Sequence, residues 1–349
     1  MTSPEAREKA VLEAVAERRE LVNEAIPEEL PIVHPERLYE ASRYLLDAGG
    51  KRLRPAVLLA TAEALADVEP LSEPYRTFPT LTGGTVDVMA AAVSVEVIQS
   101  FTLIHDDIMD DDDLRRGVPA VHREYDLSTA ILAGDTLYSK AFEIMLETGS
   151  PAERTVEALD VLANTCTRIC EGQSLDVTFE ERPNVTVEEY LEMVEQKTAV
   201  LYAASASLPA VLMGADEAVI EALYGYGLDV GRAFQIRDDV LDLTVPSEKL
   251  GKQRGSDLVE GKRTLITVHA RERGVAVDSL VETADVDAVT ETEIEGAVAA
   301  LEETGSIAYA DETARELVER GKERLEVLPD NEAHDLLCEL ADYLIERGH

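Results

Sequence analysis

Two five-residue acidic motifs, Asp106-Asp107-Ile108-Met109-Asp110 and Asp238-Asp239-Val240-Leu241-Asp242, stand 132 positions apart, each in an apolar run. Ser100-Phe101-Thr102-Leu103-Ile104 leads into the first and Ala233-Phe234-Gln235-Ile236 into the second. On an α-helix the first and fifth residues of such a motif lie roughly 40° apart around the axis and about 6 Å along it, so each helix offers two carboxylates on one face. Adjacent carboxylates repel unless a cation lies between them. Asp and Glu make up 71 of 349 residues, so one such motif would read as a solvated face. Two copies in buried-looking sequence do not. If the two helices face each other, their hard oxygen ligands suit Mg²⁺ that also holds phosphate oxygens.

The rest of the chain repeats Ala, Leu, Glu and Arg with helical period, and alternating Val/Ile/Thr runs and Asn-Gly or Asp-Gly hairpin turns are scarce. The expectation is an all-α protein of about a dozen helices, near 4–25, 36–48, 53–67, 86–111, 124–148, 152–178, 187–213, 216–243, 262–273, 290–304, 308–327 and 331–347. Breaks fall at Ile26-Pro27, 69–84, Gly149-Ser150-Pro151, Arg182-Pro183-Asn184 and 245–261, all rich in Pro, Gly or small polar residues. None resembles an interdomain linker, so residues 1–349 read as one domain. The 69–84 stretch reads as a surface insertion and 245–261 as a candidate active-site lid.

The net charge of −39 and pI of 4.4 disfavour nucleic acid and anionic lipid as general partners. The acidity is spread over the whole length, as on a surface that stays hydrated in concentrated salt, where self-repulsion is screened. A halophilic protein is one reading, a basic protein partner the other. Cys166, Cys170 and Cys338 are odd in number and sit in helical sequence, which points to core thiols and a reducing cytoplasm. The charged, helix-prone first twenty residues do not read as a signal sequence. The uncharged stretch Thr198 to Ala215 holds Pro209, Ser205 and Ser207 and reads as a buried helix, not a transmembrane segment.

Lysines number only eight: Lys9, Lys51, Lys140, Lys197, Lys249, Lys252, Lys262 and Lys322. Three lie in glycine-flanked motifs, Gly49-Gly50-Lys51-Arg52-Leu53-Arg54-Pro55, Gly251-Lys252-Gln253-Arg254-Gly255 and Gly261-Lys262-Arg263-Thr264. Glycine admits close approach of backbone to a phosphate, and Lys or Arg supplies charge and donors. A Walker A loop fails on spacing, because Gly255 to Gly261-Lys262 is one residue too long and Arg263 stands where Ser or Thr is needed. Arg115-Arg116-Gly117 follows the first acidic motif, as diphosphate ligands or as surface partners of Asp111 to Asp113. His105 and His122 read as core or supporting histidines.

With GGKRLRP, HDDIMDDDDLRRG, Gln196-Lys197-Thr198, FQIRDDVLD and GKQRGSDLVEGKRT in this order, the chain resembles the trans-isoprenyl diphosphate synthases over about residues 49–264. The resemblance implies a single-domain isoprenoid synthase fold around a deep central cavity, and a homodimer. It implies that Asp106, Asp110 and Asp238 bind Mg²⁺ directly, three ions in all, with Asp107, Asp239 and Asp242 in support. Arg115, Lys197, Lys252 and Lys262 would grip the allylic diphosphate, with Gln235 orienting it and Thr198 turning its oxygen toward the allylic cation. Isopentenyl diphosphate would sit among Lys51, Arg54, Gln99 and Arg116; Gln99 replaces the histidine of some branches.

The growing chain would extend along the first motif's helix, so bulky residues one to two turns before Asp106 would form the tunnel floor. Phe101 is bulky and Thr102 small. An aromatic only at the fifth position resembles the archaeal geranylgeranyl type, so a C20 product is expected, with C15 and C25 as alternatives. Other functions fit less well. A terpene cyclase would carry an Asn/Ser/Glu motif in place of Asp238 to Asp242. A di-iron bundle needs several Glu-x-x-His pairs, and only Glu346 to His349 matches. Ile108 breaks an EF-hand. A noncatalytic synthase subunit tends to lose one Asp motif, and both are kept.

Overall fold

In this computed structural model residues 4–182, 184–247, 253–283, 285–286 and 288–346 are described, and they are overwhelmingly helical. The chain divides into two compact units. The first comprises residues 1–166, 201–224 and 325–339, the second 167–200, 225–324 and 340–349.

In the first unit, α1 (Pro4–Glu29), α2 (Glu36–Asp47), α3 (Leu53–Ala66) and α6 (Leu127–Leu146) pack with α4 (Val88–Met109). Nearly every residue of α3 and of the first two-thirds of α4 is buried, which explains sequence apolar on all sides and not on one stripe. Among the described residues α4 is the one helix long and apolar enough to cross a membrane by length and composition, and it is a core helix of this unit. Asp87 caps it, its side chain accepting from Ala90 N at 2.8 Å.

Several boundaries differ from expectation for local reasons. The chain does not break at Pro27: α1 runs on to Glu29, and Leu30 N still donates to Ile26 O at 2.9 Å. The helix expected over 124–148 is two, α5 (Val121–Glu124) and α6, separated at Tyr125 because Asp126 adopts an extended conformation and caps Thr129 N. The segment 69–84 carries a two-residue ladder, β1 (Phe78–Pro79) with β2 (Thr85–Val86). It sends Tyr75 and Phe78 into the core, and the buried Glu63 accepts from Tyr75 Oη at 2.5 Å and Leu71 N at 2.8 Å.

A second ladder, β3 (Leu114–Arg115) with β4 (Val118–Pro119), turns through Arg116 and Gly117, both at positive φ. Two-residue hairpin turns of that form match the strand twist. Arg-Gly is not their usual signature, so the hairpin was not legible in sequence.

The second unit contains the later part of α7 (Ala152–Glu181), α8 (Val187–Val194) and most of α10 (Glu217–Thr244), with α11 (Ser256–Val259), α12 (Leu265–Glu272), α13 (Glu291–Glu303) and α14 (Ser306–Arg324). α12 packs with α8, α13 and α14, and His269 stacks on Tyr309 at 4.2 Å. The helix expected over 187–213 is interrupted by a π-turn, Glu195–Ala199, before α9 (Val200–Met213). α15 (Glu332–Glu346) closes the described chain.

Candidate active site

In the first unit, the first acidic motif ends α4. Asp106 and Asp107 lie in the last turn and Asp110 is the C-cap, its N–H donating to Asp106 O at 2.8 Å. Asp106 is half-buried and Asp110 exposed, whereas Asp107 is 0% exposed. Burial pushes the Asp107 carboxyl up to about 6, against the pull of Arg115. Arg115 Nε donates to Asp107 Oδ1 at 2.5 Å and its Nη2 reaches Asp112 at 2.7 Å. Asp107 Oδ2 is buried with no hydrogen-bond partner among the described residues. Asp111 and Asp113 pair instead with Arg123, each at 2.8 Å.

The tight turn that aims Arg115 at the motif sends Arg116 the other way. Its Nη1 donates to Leu45 O at 3.0 Å and Gly49 O at 2.5 Å, and its Nη2 lies 3.2 Å from the buried Glu96. A Cβ on Gly50 would stand 2.9 Å from Arg116 Cζ, and Gly50 has φ +150°, so the Gly49-Gly50 pair is required where the chain passes this guanidinium. Arg52, buried, pairs with Glu96 and donates to Leu46 O at 2.6 Å. Arg54 lies over the Tyr202 ring at 4.3 Å. Lys51 is exposed, and Gln99, one turn after Glu96, is half-buried. Arg52 and Glu96 thus frame this corner, a role the sequence did not reveal because their pairing joins residues 44 positions apart.

Phe101 packs edge-on against His105 at 5.0 Å and Tyr138 of α6 at 5.4 Å, with Phe142 beyond Tyr138. His105 rests on Gly134, where a Cβ would stand 2.2 Å from Nε2. Thr102 Oγ1 donates to Gln99 O at 2.9 Å. The imidazole nitrogens of His122 are buried with no hydrogen-bond partner among the described residues.

In the second unit, one hydrogen-bond chain joins three of the expected residues. Thr198 Oγ1 donates to Gln235 Oε1 at 3.1 Å, Gln235 Nε2 donates to Asp239 Oδ1 at 3.0 Å, and Tyr190 Oη donates to Asp239 Oδ2 at 2.6 Å. Burial, then Asp257 and Asp238, pushes the Asp239 carboxyl up to about 8. Asp238 is half-buried, and Asp242, 1% exposed, accepts from Ser256 Oγ at 2.9 Å and Asp257 N at 3.2 Å, tying α10 to α11.

The π-turn presents Lys197 to Asp176 of α7 in an ion pair. Gly172 makes that approach possible, since a Cβ there would lie 2.2 Å from Lys197 N. Next to it, Gln173 is buried with neither amide atom hydrogen-bonded among the described residues. Sequence reading passed over Gln173, Asp176 and Tyr190; the run Gly172-Gln173 through Asp176 was the available signal. Lys262 Nζ lies 2.9 Å from Glu260 and 3.7 Å from Asp257. Lys252 lies outside the described residues.

The two motifs share a construction: the second aspartate is buried (Asp107, Asp239) and the first half-exposed (Asp106, Asp238). They part at the fifth, exposed at Asp110 and committed to α11 at Asp242. The donors are all hard carboxylate oxygens, with the first aspartate of each motif half-exposed, so the set fits Mg²⁺. A separate group, Asp330, His334 and Asp335, brings ligand atoms within 4.8 Å of one another, but its carboxylates are exposed and outside every motif.

An overwhelmingly helical chain with these motifs defines a metal-assisted enzyme of diphosphate substrates. Residues 35–301 match the family Polyprenyl synthetase, so the chain belongs to that family and is an Mg²⁺-dependent trans-isoprenyl diphosphate synthase. It is 70% identical over 336 residues to geranylfarnesyl diphosphate synthase of Natronomonas pharaonis, covering 96% of this chain and 97% of that protein. It is 51% identical over 346 residues to geranylgeranyl diphosphate synthase of Methanosarcina mazei, covering 97% and 98%. Among solved structures, geranylgeranyl pyrophosphate synthetase of Geoglobus acetivorans matches with a TM-score of 0.84 and 46% identity, over 95% of this chain and 99% of that one.

Proposed function

We propose that this enzyme condenses isopentenyl diphosphate with dimethylallyl, geranyl and farnesyl diphosphates, stopping at geranylgeranyl diphosphate (C20). The division of labour among the six motif aspartates carries the reading of the site. Asp106, Asp110 and Asp238, the ones not buried, are the direct ligands of Mg²⁺, three ions per site; Asp107, Asp239 and Asp242, buried and held by Arg115, by Tyr190 and Gln235, and by Ser256, support them. When bound, the ions stabilise negative charge on the leaving diphosphate.

Arg115, Lys197, Lys252 and Lys262 bind the allylic diphosphate and offset the charge that grows as its C–O bond breaks. Gln235, held between Thr198 and Asp239, orients the allylic diphosphate, and Thr198 turns its oxygen toward the allylic cation. Lys51, Arg54, Gln99 and Arg116 hold isopentenyl diphosphate, whose double bond attacks the cation. The departing diphosphate takes the proton lost afterwards, so no protein base is needed.

The Phe101–Tyr138 contact supports a floor that limits the product to C20. The 70% identical relative named as a geranylfarnesyl diphosphate synthase supports a C25 product as the second reading. The match across residues 35–301 runs through both compact units and supports one catalytic domain; of the lid expected over 245–261, residues 248–252 lie outside the described residues. Exposed Leu127, Ile131, Leu132 and Leu146 on α6 support a homodimer, and three cysteines outside any disulfide support a cytoplasmic setting.

Purified protein in high salt with Mg²⁺ and labelled isopentenyl diphosphate is offered each allylic substrate, and products are sized by chromatography. A C20 end product is expected; C25 would replace that reading, and no incorporation with any substrate would reject the function.

A further inference from the structure

The second unit carries a cluster of arginines that the synthase chemistry does not use. Arg320 and Arg324 of α14 both grip Asp229 of α10, Arg320 Nε at 3.0 Å and Arg324 Nε at 2.9 Å from Oδ2. One turn on, Arg232 and Arg168 both grip Glu195. A Cβ on Gly225 would stand 2.5 Å from Arg324 Nη1, so the helix surface is cut away where that guanidinium lies.

The layering is what matters. Asp229 is 2% exposed, beneath the patch, whereas the side chains of Arg320 and Arg324 are 50% and 40% exposed. Arg232 Nε is buried with no hydrogen-bond partner among the described residues. Burial first, then the charges of Arg320, Arg168 and Arg324, lowers the Arg232 pKa, as expected where like charges crowd. Glu316 is a further acid near Arg320. In a chain with 71 acidic and 32 basic residues, four guanidiniums gathered over two shared carboxylates form a local positive field against the net charge.

We propose that the Arg168, Arg232, Arg320 and Arg324 patch binds a compact multivalent oxyanion of the phosphate class. Planar guanidiniums present paired donors to such oxygens. A compact anion is favoured over a long polyanion because the surrounding surface, at −39 overall, would repel anything extending beyond the patch. Glu195 begins the π-turn that carries Lys197, but none of the four arginines is among the proposed substrate ligands, and the site does not require Mg²⁺.

The test is calorimetric titration of the full chain with inorganic phosphate, in EDTA at fixed KCl. One site is expected, weakened at least tenfold in Arg320→Ala/Arg324→Ala/Asp229→Asn, which removes the buried carboxylate with its partners, and unchanged in Lys197→Ala. Absence of binding, equal binding by the triple variant, or loss in Lys197→Ala would each overturn the assignment. Should the triple variant not fold, phosphate must protect Arg320 and Arg324 of the unaltered protein from an arginine-specific dicarbonyl, read by mass spectrometry; unprotected arginines would equally overturn it.

Discussion

Asp239 shows how a single side chain is kept costly for function. Its carboxyl, pushed up to about 8 by burial and by Asp257 and Asp238, ionises near 3.8 once unfolded. Between those pH values the folded protein must hold a proton that the unfolded chain gives up, so without metal its contribution to stability falls as pH rises through that window. Asp239→Asn keeps an oxygen for Tyr190 and removes the charge. It is expected to raise the metal-free melting temperature at pH 8 by ~2 °C, for about 1 kcal/mol, while lowering turnover; an unchanged or lower melting temperature in EDTA would count against this account. At Phe101 the expected change is in product and not rate. Phe101→Ala removes the ring that meets Tyr138 and should shift chromatographed products by at least one five-carbon unit. The motif aspartates were legible from their spacing, but their burial was not, since Asp107 and Asp110 look alike in sequence and differ only in what packs on them.

At the scale of elements, the π-turn Glu195–Ala199 and the β3–β4 hairpin are the devices that aim side chains. Both were invisible in the sequence, one inside an ordinary helical pattern and the other turning on Arg-Gly. Extra residues of π-type inside a helix recur at functional sites, where they locally change the side-chain register. Here the turn depends on Gly172, whose missing Cβ leaves room for Lys197 N and the Gln196 carbonyl carbon. Backbone cannot yield as a side-chain tip can, so Gly172→Ala must push α7 away from the turn. A loss of about 2–3 kcal/mol in stability is expected, with a fall in kcat of more than tenfold for Lys197 and Thr198 held off position. Denaturant melts and steady-state kinetics on the same sample check both. Gly50 acts likewise for Arg116: Gly50→Ala should raise the KM for isopentenyl diphosphate more than that for the allylic substrate.

For the whole molecule the dominant quantity is the net charge of −39. Self-repulsion of that size opposes compactness until salt screens it, the Debye length falling to about 3 Å at 1 M. Helicity and melting temperature should therefore rise together between about 0.1 and 2 M KCl, followed by circular dichroism. Full helicity and activity in salt-free buffer would exclude the halophilic reading. The ion pairs that are buried, such as Arg18 with Glu63 and Arg52 with Glu96, should respond least to salt, being screened by protein and not by solvent.

Helical periodicity, the two acidic motifs, the scarce lysines and their glycines were sufficient to fix the all-α class, the kind of chemistry and the family, because those properties follow from residue type and local spacing. Tertiary structure decided which three aspartates remain accessible, which arginines are committed to Glu96, Asp107 or Asp229, and that Thr198, Gln235 and Asp239 form one chain of hydrogen bonds. Those outcomes depend on burial and on partners tens of residues away, and burial sets both the charge state of a carboxylate and whether it can meet a cation.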